Sequence, residues 1–245
     1  MANENIDNLI TLAKGGDRES QIKLATIFTE QRKYLKAYTW LVKASEYSSD
    51  MQYLLAKYFY NGWGIIKNVN RAVELYALSA DGGNSKAQND LANCYEKGKG
   101  VEQDFKKAFY YYKLSSENKN AVATYNLGRC YEWGMGVAKN KQSAFECYKQ
   151  AYLCGVKIAR HKLATCYEKG IGTPVDEKMA VELYLQGVKE NCQRSQYSIG
   201  HCYHKGIGLA QDLQKAVYWY KISAKNGNPL AEWELLRLKY QGVKV

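Results

Sequence analysis

The chain of 245 residues is 46% hydrophobic, 24% charged and 13% aromatic. This composition is typical of a folded protein and excludes a disordered or low-complexity chain, which would be poor in aromatic residues. Two prolines beside 22 tyrosines and 20 glycines argue against an all-β protein with many tight turns and favour uninterrupted helices. The sequence shows no apolar run of the roughly 18 residues that a membrane span needs and no secretory signal at its start, so we expect a cytoplasmic protein without a membrane span.

The net charge of +11 raises nucleic acid or an acidic membrane surface as a partner. The basic residues are spread along the chain, and the longest clusters are as short as Lys106-Lys107 and Lys139-Asn140-Lys141. A nucleic-acid interface usually concentrates lysine and arginine along one stripe. We therefore interpret most of the charge as solvated helix faces, which argues against nucleic acid and leaves a polyanion site as the alternative.

The first two segments of the chain are predicted to be atypical. Residues 1–16 form an N-terminal cap, an amphipathic helix that Gly15 and Gly16 end. Residues 17–49 form a degenerate repeat, in which two helices are recognisable but the Gly-x-Gly loop of the later copies is missing. Terminal repeats of a repeat protein are expected to differ in this way because they face water.

Residues 50–228 contain five copies of a unit that recurs every 36 residues without an insertion. A pair of glycines marks each copy: Gly62/Gly64, Gly98/Gly100, Gly134/Gly136, Gly170/Gly172 and Gly206/Gly208. An alanine and a tyrosine recur in the same register: Ala72, Ala108, Ala144, Ala180, Ala216 and Tyr76, Tyr112, Tyr148, Tyr184, Tyr220. Such a period is typical of stacked repeats, in which each unit completes its core with its neighbours.

Each copy is predicted to be a helix–loop–helix unit. In the first helix Ala87, Leu91 and Tyr95 lie on one face because they are four residues apart. The glycine pair ends this helix, and an Asn or Asp N-cap begins the second. These caps are Asn68, Asp104, Asn140, Asp176 and Asp212. The second helix ends near a residue that in most copies suits a left-handed turn: Gly83, Lys119, Gly155, Asn191 or Gly227.

The last segment, residues 229–245, is predicted to be a C-terminal half-repeat. Pro229–Tyr240 is a first helix without its second helix. It leaves apolar surface through which two copies can meet as a homodimer. The leucines that supply this surface are Leu235, Leu236 and Leu238. The whole chain, 1–245, is thus predicted to be one all-α domain, an α/α superhelical solenoid of 36-residue helix–loop–helix repeats.

The segment AVATYNLGRCYEWGMGVAKNKQSAFECYKQA, residues 121–151, resembles a Sel-like repeat (SLR) of the tetratricopeptide-like superfamily. The resemblance covers nearly all of the chain, with weaker half-copies at 21–46 and 229–242. It implies an α/α superhelix that acts as a scaffold or adaptor for other proteins, and it implies no reaction, substrate or cofactor. Small departures disturb the loop in two copies, at Ile65, Ile66 and Thr173.

If the helices pack as in tetratricopeptide repeats, one slot of the first helix lines an inner groove. It recurs every 36 residues as Tyr53, Asn89, Tyr125, His161, Tyr197 and Trp233. A ladder of rings suits an extended or helical peptide, since aromatic anchors dominate interface energetics. The alternative is that these rings are partly buried between neighbouring repeats. With adjacent positions, the predicted partner-binding groove comprises Tyr53, Tyr125, Arg129, Trp133, His161, Tyr197, His201, Trp233 and Arg237.

Cysteine and histidine do not point to a cofactor. Four of the seven cysteines recur one per repeat, at Cys94, Cys130, Cys166 and Cys202. Equivalent positions in adjacent repeats are about 8–10 Å apart or more, too far for a disulfide, so we expect buried thiols and a reducing compartment. His201 and His204 form a possible two-ligand metal edge, but no third ligand follows at a defined spacing. We predict no metal, no cofactor and no catalytic residue.

The sequence therefore predicts a non-enzymatic scaffold or adaptor whose concave face binds a protein or peptide partner. The alternative is a basic solenoid that binds RNA or another polyanion. Salt distinguishes the two, because a protein that contacts several phosphates loses orders of magnitude in affinity between about 50 and 200 mM salt.

Overall fold

The computed structural model describes residues 2–245, with side chains from Ile6 onward; in this range there are fourteen α-helices and no β-strand. The helices are α1 (Ala2–Lys14), α2 (Arg18–Glu30), α3 (Tyr34–Ala44), α4 (Ser49–Asn61), α5 (Val69–Asp81), α6 (Ser85–Lys97), α7 (Phe105–Glu117), α8 (Ala121–Trp133), α9 (Lys141–Leu153), α10 (Lys157–Lys169), α11 (Glu177–Lys189), α12 (Gln193–Lys205), α13 (Leu213–Lys225) and α14 (Pro229–Tyr240). The predicted all-α repeat fold is confirmed. None of the described helices has the length and apolar character needed to cross a membrane.

The five helix pairs from α4–α5 to α12–α13 are the five predicted repeats, each with a helix A followed by a helix B. All five predicted N-caps of helix B accept hydrogen bonds from backbone N–H groups of the first turn. All five predicted ends of helix B have a positive φ, including the non-glycine residues Lys119 (61°) and Asn191 (55°). Local sequence chemistry therefore sets both ends of helix B.

The second glycine of each pair has a role that the sequence did not reveal. A Cβ added at Gly100 would lie 2.8 Å from the carbonyl oxygen of Val69, the first residue of helix B in the preceding repeat. Gly136 and Gly172 approach the backbone of Phe105 and Lys141 in the same way. This glycine therefore permits backbone contact between consecutive repeats, in addition to its left-handed turn.

A buried tyrosine of helix B is the centre of each repeat's core. Tyr148 and Tyr220 are at most 1% exposed, and each ring packs against a helix-A residue without a side chain. A Cβ added at Gly128 or Gly200 would lie 2.8 Å from the facing ring. The hydroxyl of this tyrosine donates a hydrogen bond to a helix-A carboxylate in three repeats: Tyr112 to Glu96, Tyr148 to Glu132 and Tyr184 to Glu168.

The chain divides into two compact units. Unit 1 contains the residues up to Ala123 together with Met135–Val137, and unit 2 contains Thr124–Gly134 and Ala138–Val245. The predicted organisation of 1–245 as one continuous solenoid with caps at both ends stays a prediction.

The two terminal helices each correspond to half of a repeat. In α1, the carbonyl oxygen of Ala13 accepts a hydrogen bond from Gln21 at 3.0 Å. Ala80 of α5 accepts the equivalent bond from Gln88 at 3.1 Å, so α1 stands before α2 as a helix B stands before the next helix A. The helix predicted for the N-terminal cap is present and begins at Ala2.

The apolar surface predicted on α14 differs from the observed one. Leu238 is 1% exposed and Leu235 packs against the same buried cluster, because both lie on the face toward α13. Leu236 lies on another face and is 56% exposed. The prediction that all three leucines form a free surface was therefore wrong for two of them.

The four periodic cysteines are buried as predicted. Cys147 and Cys192 are half-buried, whereas Cys154 is exposed. The expectation of burial was wrong for Cys154 because it caps the C-terminus of α9, outside the repeat core.

Candidate partner-binding groove

Unit 2 contains a groove of about 630 Å³ between the first helices of successive repeats. Its walls come from α10, α12 and the start of α14. Of the predicted binding residues, His161, Tyr197 and His201 line it. The helices A of consecutive repeats thus line this groove with equivalent faces.

Four ladder residues, Tyr53, Tyr125, His161 and Tyr197, are half-buried, and each of their rings packs on the central tyrosine of its own repeat. The ring centroids are 5.9 Å apart for Tyr53–Tyr76, 5.6 Å for Tyr125–Tyr148, 5.5 Å for His161–Tyr184 and 5.6 Å for Tyr197–Tyr220. Two of these residues also reach the next helix A: the Tyr53 hydroxyl donates to Asp90 at 3.2 Å, and His161 Nε2 lies 3.2 Å from Ser198 Oγ. Each ring therefore has one edge in the core, as in the alternative interpretation, and at His161 and Tyr197 another edge at the groove. Their binding role stays a prediction.

The other predicted residues lie outside the lining of this groove. Trp133 is 60% exposed, with Lys162 Nζ 5.7 Å from its ring centroid, and Trp233 is 65% exposed. Arg129 donates a hydrogen bond to Asn126 at 3.3 Å. The remaining residue, Arg237, pairs with Glu234 at 2.7 Å. Tyr53 belongs to unit 1.

Three cations in the groove were missed by the sequence analysis: Lys162, Lys169 and Arg194. Lys162 is neutralised by Glu132 at 2.8 Å. The exposed Arg194 lies in the first turn of α12, three residues before the ring position Tyr197. Gln193 also lines the groove, and its Oε1 is buried without a hydrogen-bond partner among the described residues.

The two imidazoles of the groove are neutral at neutral pH. Burial lowers the pKa of His161 to about 4, with the positive charge of Arg194 as the next cause. Burial likewise lowers the pKa of His201, whose ring stacks on Tyr197 with centroids 6.4 Å apart. These rings therefore offer neutral hydrogen-bonding and stacking surfaces, and the positive charge of the groove comes from lysine and arginine.

Unit 1 contains an equivalent groove, three repeats or 108 residues earlier in the sequence. Its volume is about 380 Å³, and its lining includes Tyr53, Asn89 and Asp90. Besides the bond from Tyr53 to Asp90, Lys57 Nζ lies 5.9 Å from the Tyr53 ring centroid. The same positions in unit 2 carry His161, Thr165, Tyr197 and Ser198. The shorter side chains of His161, Thr165 and Ser198 leave the unit 2 groove more open.

The structure brings no metal-binding cluster together in the part of the chain that it describes, where no three His, Cys, Asp or Glu residues are grouped to hold an ion. His204 contacts Tyr220, with Nδ1 3.5 Å from the hydroxyl. It takes the position that Glu168 holds in the preceding repeat.

Stacked helix pairs of constant length define an α/α repeat protein. The sequence profile of the Sel1 repeat matches five consecutive segments, 49–84, 85–120, 121–156, 157–192 and 193–228. The chain belongs to the Sel1 repeat family. A comparison with curated proteins gives no match.

Solved structures share this fold. A Sel1 repeat protein from Oxalobacter formigenes is 30% identical, with a TM-score of 0.83 over 89% of this chain and 87% of that one. The protein c5321, a protective antigen of uropathogenic Escherichia coli strains with an SLR fold, is 25% identical, with a TM-score of 0.85. That match covers 97% of this chain and 52% of the other, so the present chain spans about half of c5321. Sel1 repeats generally serve as scaffolds for protein–protein interactions, and such scaffolds are generally not enzymes.

Proposed function

We propose that this protein is a non-enzymatic scaffold that binds an extended segment of a partner protein in the groove of unit 2. The observation that carries the proposal is the groove itself, about 630 Å³ with ring side chains from successive repeats on its wall. Concave sites with a few polar groups among aromatic side chains are the usual sites of recognition. Partly exposed Tyr197 and His201 offer stacking surface at little cost in side-chain entropy.

The exposed cations of the groove favour a peptide with acidic side chains. Arg194 and Lys169 are exposed cations at the same groove, and they would attract carboxylates. The carboxylate of Glu168 also lines the groove, and it accepts a hydrogen bond from the Tyr184 hydroxyl at 2.8 Å.

The experiment that tests the proposal is affinity capture from native lysate with the wild-type chain and two matched variants. Tyr197→Asn places in the groove the residue that the 85–120 repeat carries there, Asn89. Tyr218→Asn is the control, because Tyr218 is 58% exposed on helix B and lies outside the groove. We expect Tyr197→Asn to lose the captured protein and Tyr218→Asn to retain it. If both variants retain the captured protein equally, the partner does not bind in the groove of unit 2.

A salt series during the same capture separates a protein partner from a polyanion. RNA binding through several phosphates would fall by orders of magnitude between about 50 and 200 mM salt. A ring-anchored peptide loses much less, since stacking and apolar burial are not screened. Nuclease treatment of the lysate provides the second control, because it removes an RNA-mediated signal and leaves a direct protein contact.

A further inference from the structure

Helix α14 presents the face that helix A normally turns toward its helix B. Trp233, Leu236 and Tyr240 are 65%, 56% and 91% exposed. One repeat earlier, the positions of Trp233 and Tyr240 are occupied by Tyr197 and His204, whose rings pack on Tyr220 of α13. In the described structure, α14 is therefore a helix A whose helix-B side is uncovered.

Helix α1 is the complementary half. The hydrogen bond from Gln21 to Ala13 fixes its register as a helix B, and this register places Leu12 at the position of Ser79. In the full repeat the Ser79 hydroxyl donates to the carbonyl oxygen of Ser49 on its own helix A, at 2.6 Å. Leu12, which is 47% exposed, thus lies on the side where a helix A would pack.

The side chains that would face each other on α1 and α14 differ in size from those of a full repeat, and the two differences compensate. In full repeats the central tyrosine of helix B packs on a glycine or alanine of helix A, such as Gly200. In α14 this position is Leu236, and in α1 the tyrosine position is Leu9. A tyrosine would overpack Leu236, whereas a leucine leaves room for it. The two halves are therefore better matched to each other than to the partner helices found in the five full repeats.

Charge along the two helices also matches. Helices A and B within a repeat are antiparallel, so the last turn of α1 would lie beside the first turn of α14. Lys14 ends α1 and Glu232 is in the first turn of α14. Asp7, near the middle of α1, would lie toward Lys239 in the last turn of α14. Opposite charges thus meet at two places along the contact.

We propose that α1 of one copy packs on the exposed face of α14 of a second copy in the position of a helix B, so that the two helices form a repeat between the two chains. At about 200 Å² per large side chain, the exposed fractions of Trp233, Leu236 and Tyr240 amount to on the order of 400 Å² on this side, at the low end of specific interfaces. The association is therefore weak and reversible. Because each copy uses a different surface, it is heterologous and can add further copies head to tail.

Sedimentation velocity over about 1 to 500 μM chain tests this proposal. The weight-average mass of the wild type should rise with concentration and exceed that of a dimer. Leu12→Glu and Leu236→Glu should each remain monomeric alone. Their equimolar mixture should form a dimer and stop there, since the one intact α1 and the one intact α14 are then consumed. Ile66→Glu is the control, because Ile66 is 90% exposed in a loop of unit 1, and it should associate like the wild type.

Three results would overturn the proposal. A constant monomer mass of the wild type at all concentrations is the first. Dimers of Leu12→Glu alone are the second, since they would indicate a symmetric contact between two α14 helices. A mixture that stays monomeric is the third. Thermal melts verify that the variants are folded, and Asn8→Lys with Trp233→Lys, both at exposed positions of the same faces, replace any variant that melts early.

Discussion

The two equivalent grooves show how one repeat sequence produces different surfaces. In unit 1, Tyr53 is held by Asp90 and lies beside Lys57, and the groove is about 380 Å³. In unit 2, His161 is held by Ser198, and the groove is about 630 Å³. The buried tyrosine beneath each site is unchanged. Core positions therefore keep the helices in register, while a few positions on helix A decide whether the space between repeats is filled or open.

Converting the open groove into the closed one should have the largest effect on partner binding. The triple variant His161→Tyr, Thr165→Lys and Ser198→Asp carries in unit 2 the residues Tyr53, Lys57 and Asp90 of unit 1. We expect at least a tenfold loss of partner affinity, about 1.4 kcal/mol, with an unchanged melt because unit 1 already accommodates these residues. Isothermal titration with the captured partner measures the loss. Unchanged affinity would show that groove size does not matter.

A second difference lies at the C-terminal end of helix B. Gln88 pairs with Asn118 in unit 1, whereas Arg160 in unit 2 makes two hydrogen bonds of 3.0 Å to Glu190. Arg160 is 8% exposed, so Arg160→Gln removes a buried partner and should cost about 2 kcal/mol of stability.

Chemical denaturation measures this cost, with a double variant as the control. Arg160→Gln with Glu190→Asn restores the pair found at Gln88 and Asn118, and it should recover most of the loss. A neutral single variant, or a double variant as unstable as the single one, would contradict the importance of this pair.

A third effect appears only below neutral pH, because His161 replaces the Tyr53 of unit 1. Its pKa is lowered from 6.5 to about 4 in the folded chain, so the unfolded chain takes up a proton first as the pH falls. Stability should therefore decline from about pH 6.5 down to about pH 4 and change no further through this group. His161→Asn should remove a slope of about one proton from this window, as measured by denaturation at several pH values. If the slope of stability against pH is unchanged in His161→Asn, His161 is not buried as a neutral imidazole.

The fold could be predicted almost completely because its determinants are local and recur five times. Caps, left-handed turns and the tyrosine register are all read from residues within one repeat. The close approach of Gly136 to Phe105 could not be read in this way, because it joins two repeats. The second feature that sequence analysis missed is the position of α1 as a helix B, because Leu9 replaces the tyrosine that marks this helix in the five full repeats.

The candidate site was predicted only in part. The ladder and the two ring positions His161 and Tyr197 follow from the period of 36. The size of the groove depends on side chains contributed together by three repeats, so no single position reveals it. Arg194 and Gln193 were missed because their place in the first turn of α12 becomes part of the wall only when the next repeat is stacked beside it.

The dissociation constant of the captured partner for Tyr197→Asn, relative to that for Tyr218→Asn, shows whether the partner binds in the groove of unit 2. Both variants remove a tyrosine from unit 2, one at the groove and one outside it. We expect Tyr197→Asn to weaken binding at least tenfold, as is typical of an aromatic anchor, whereas Tyr218→Asn should change it less than about twofold. Equal dissociation constants for the two variants would contradict the claim that this groove holds the partner.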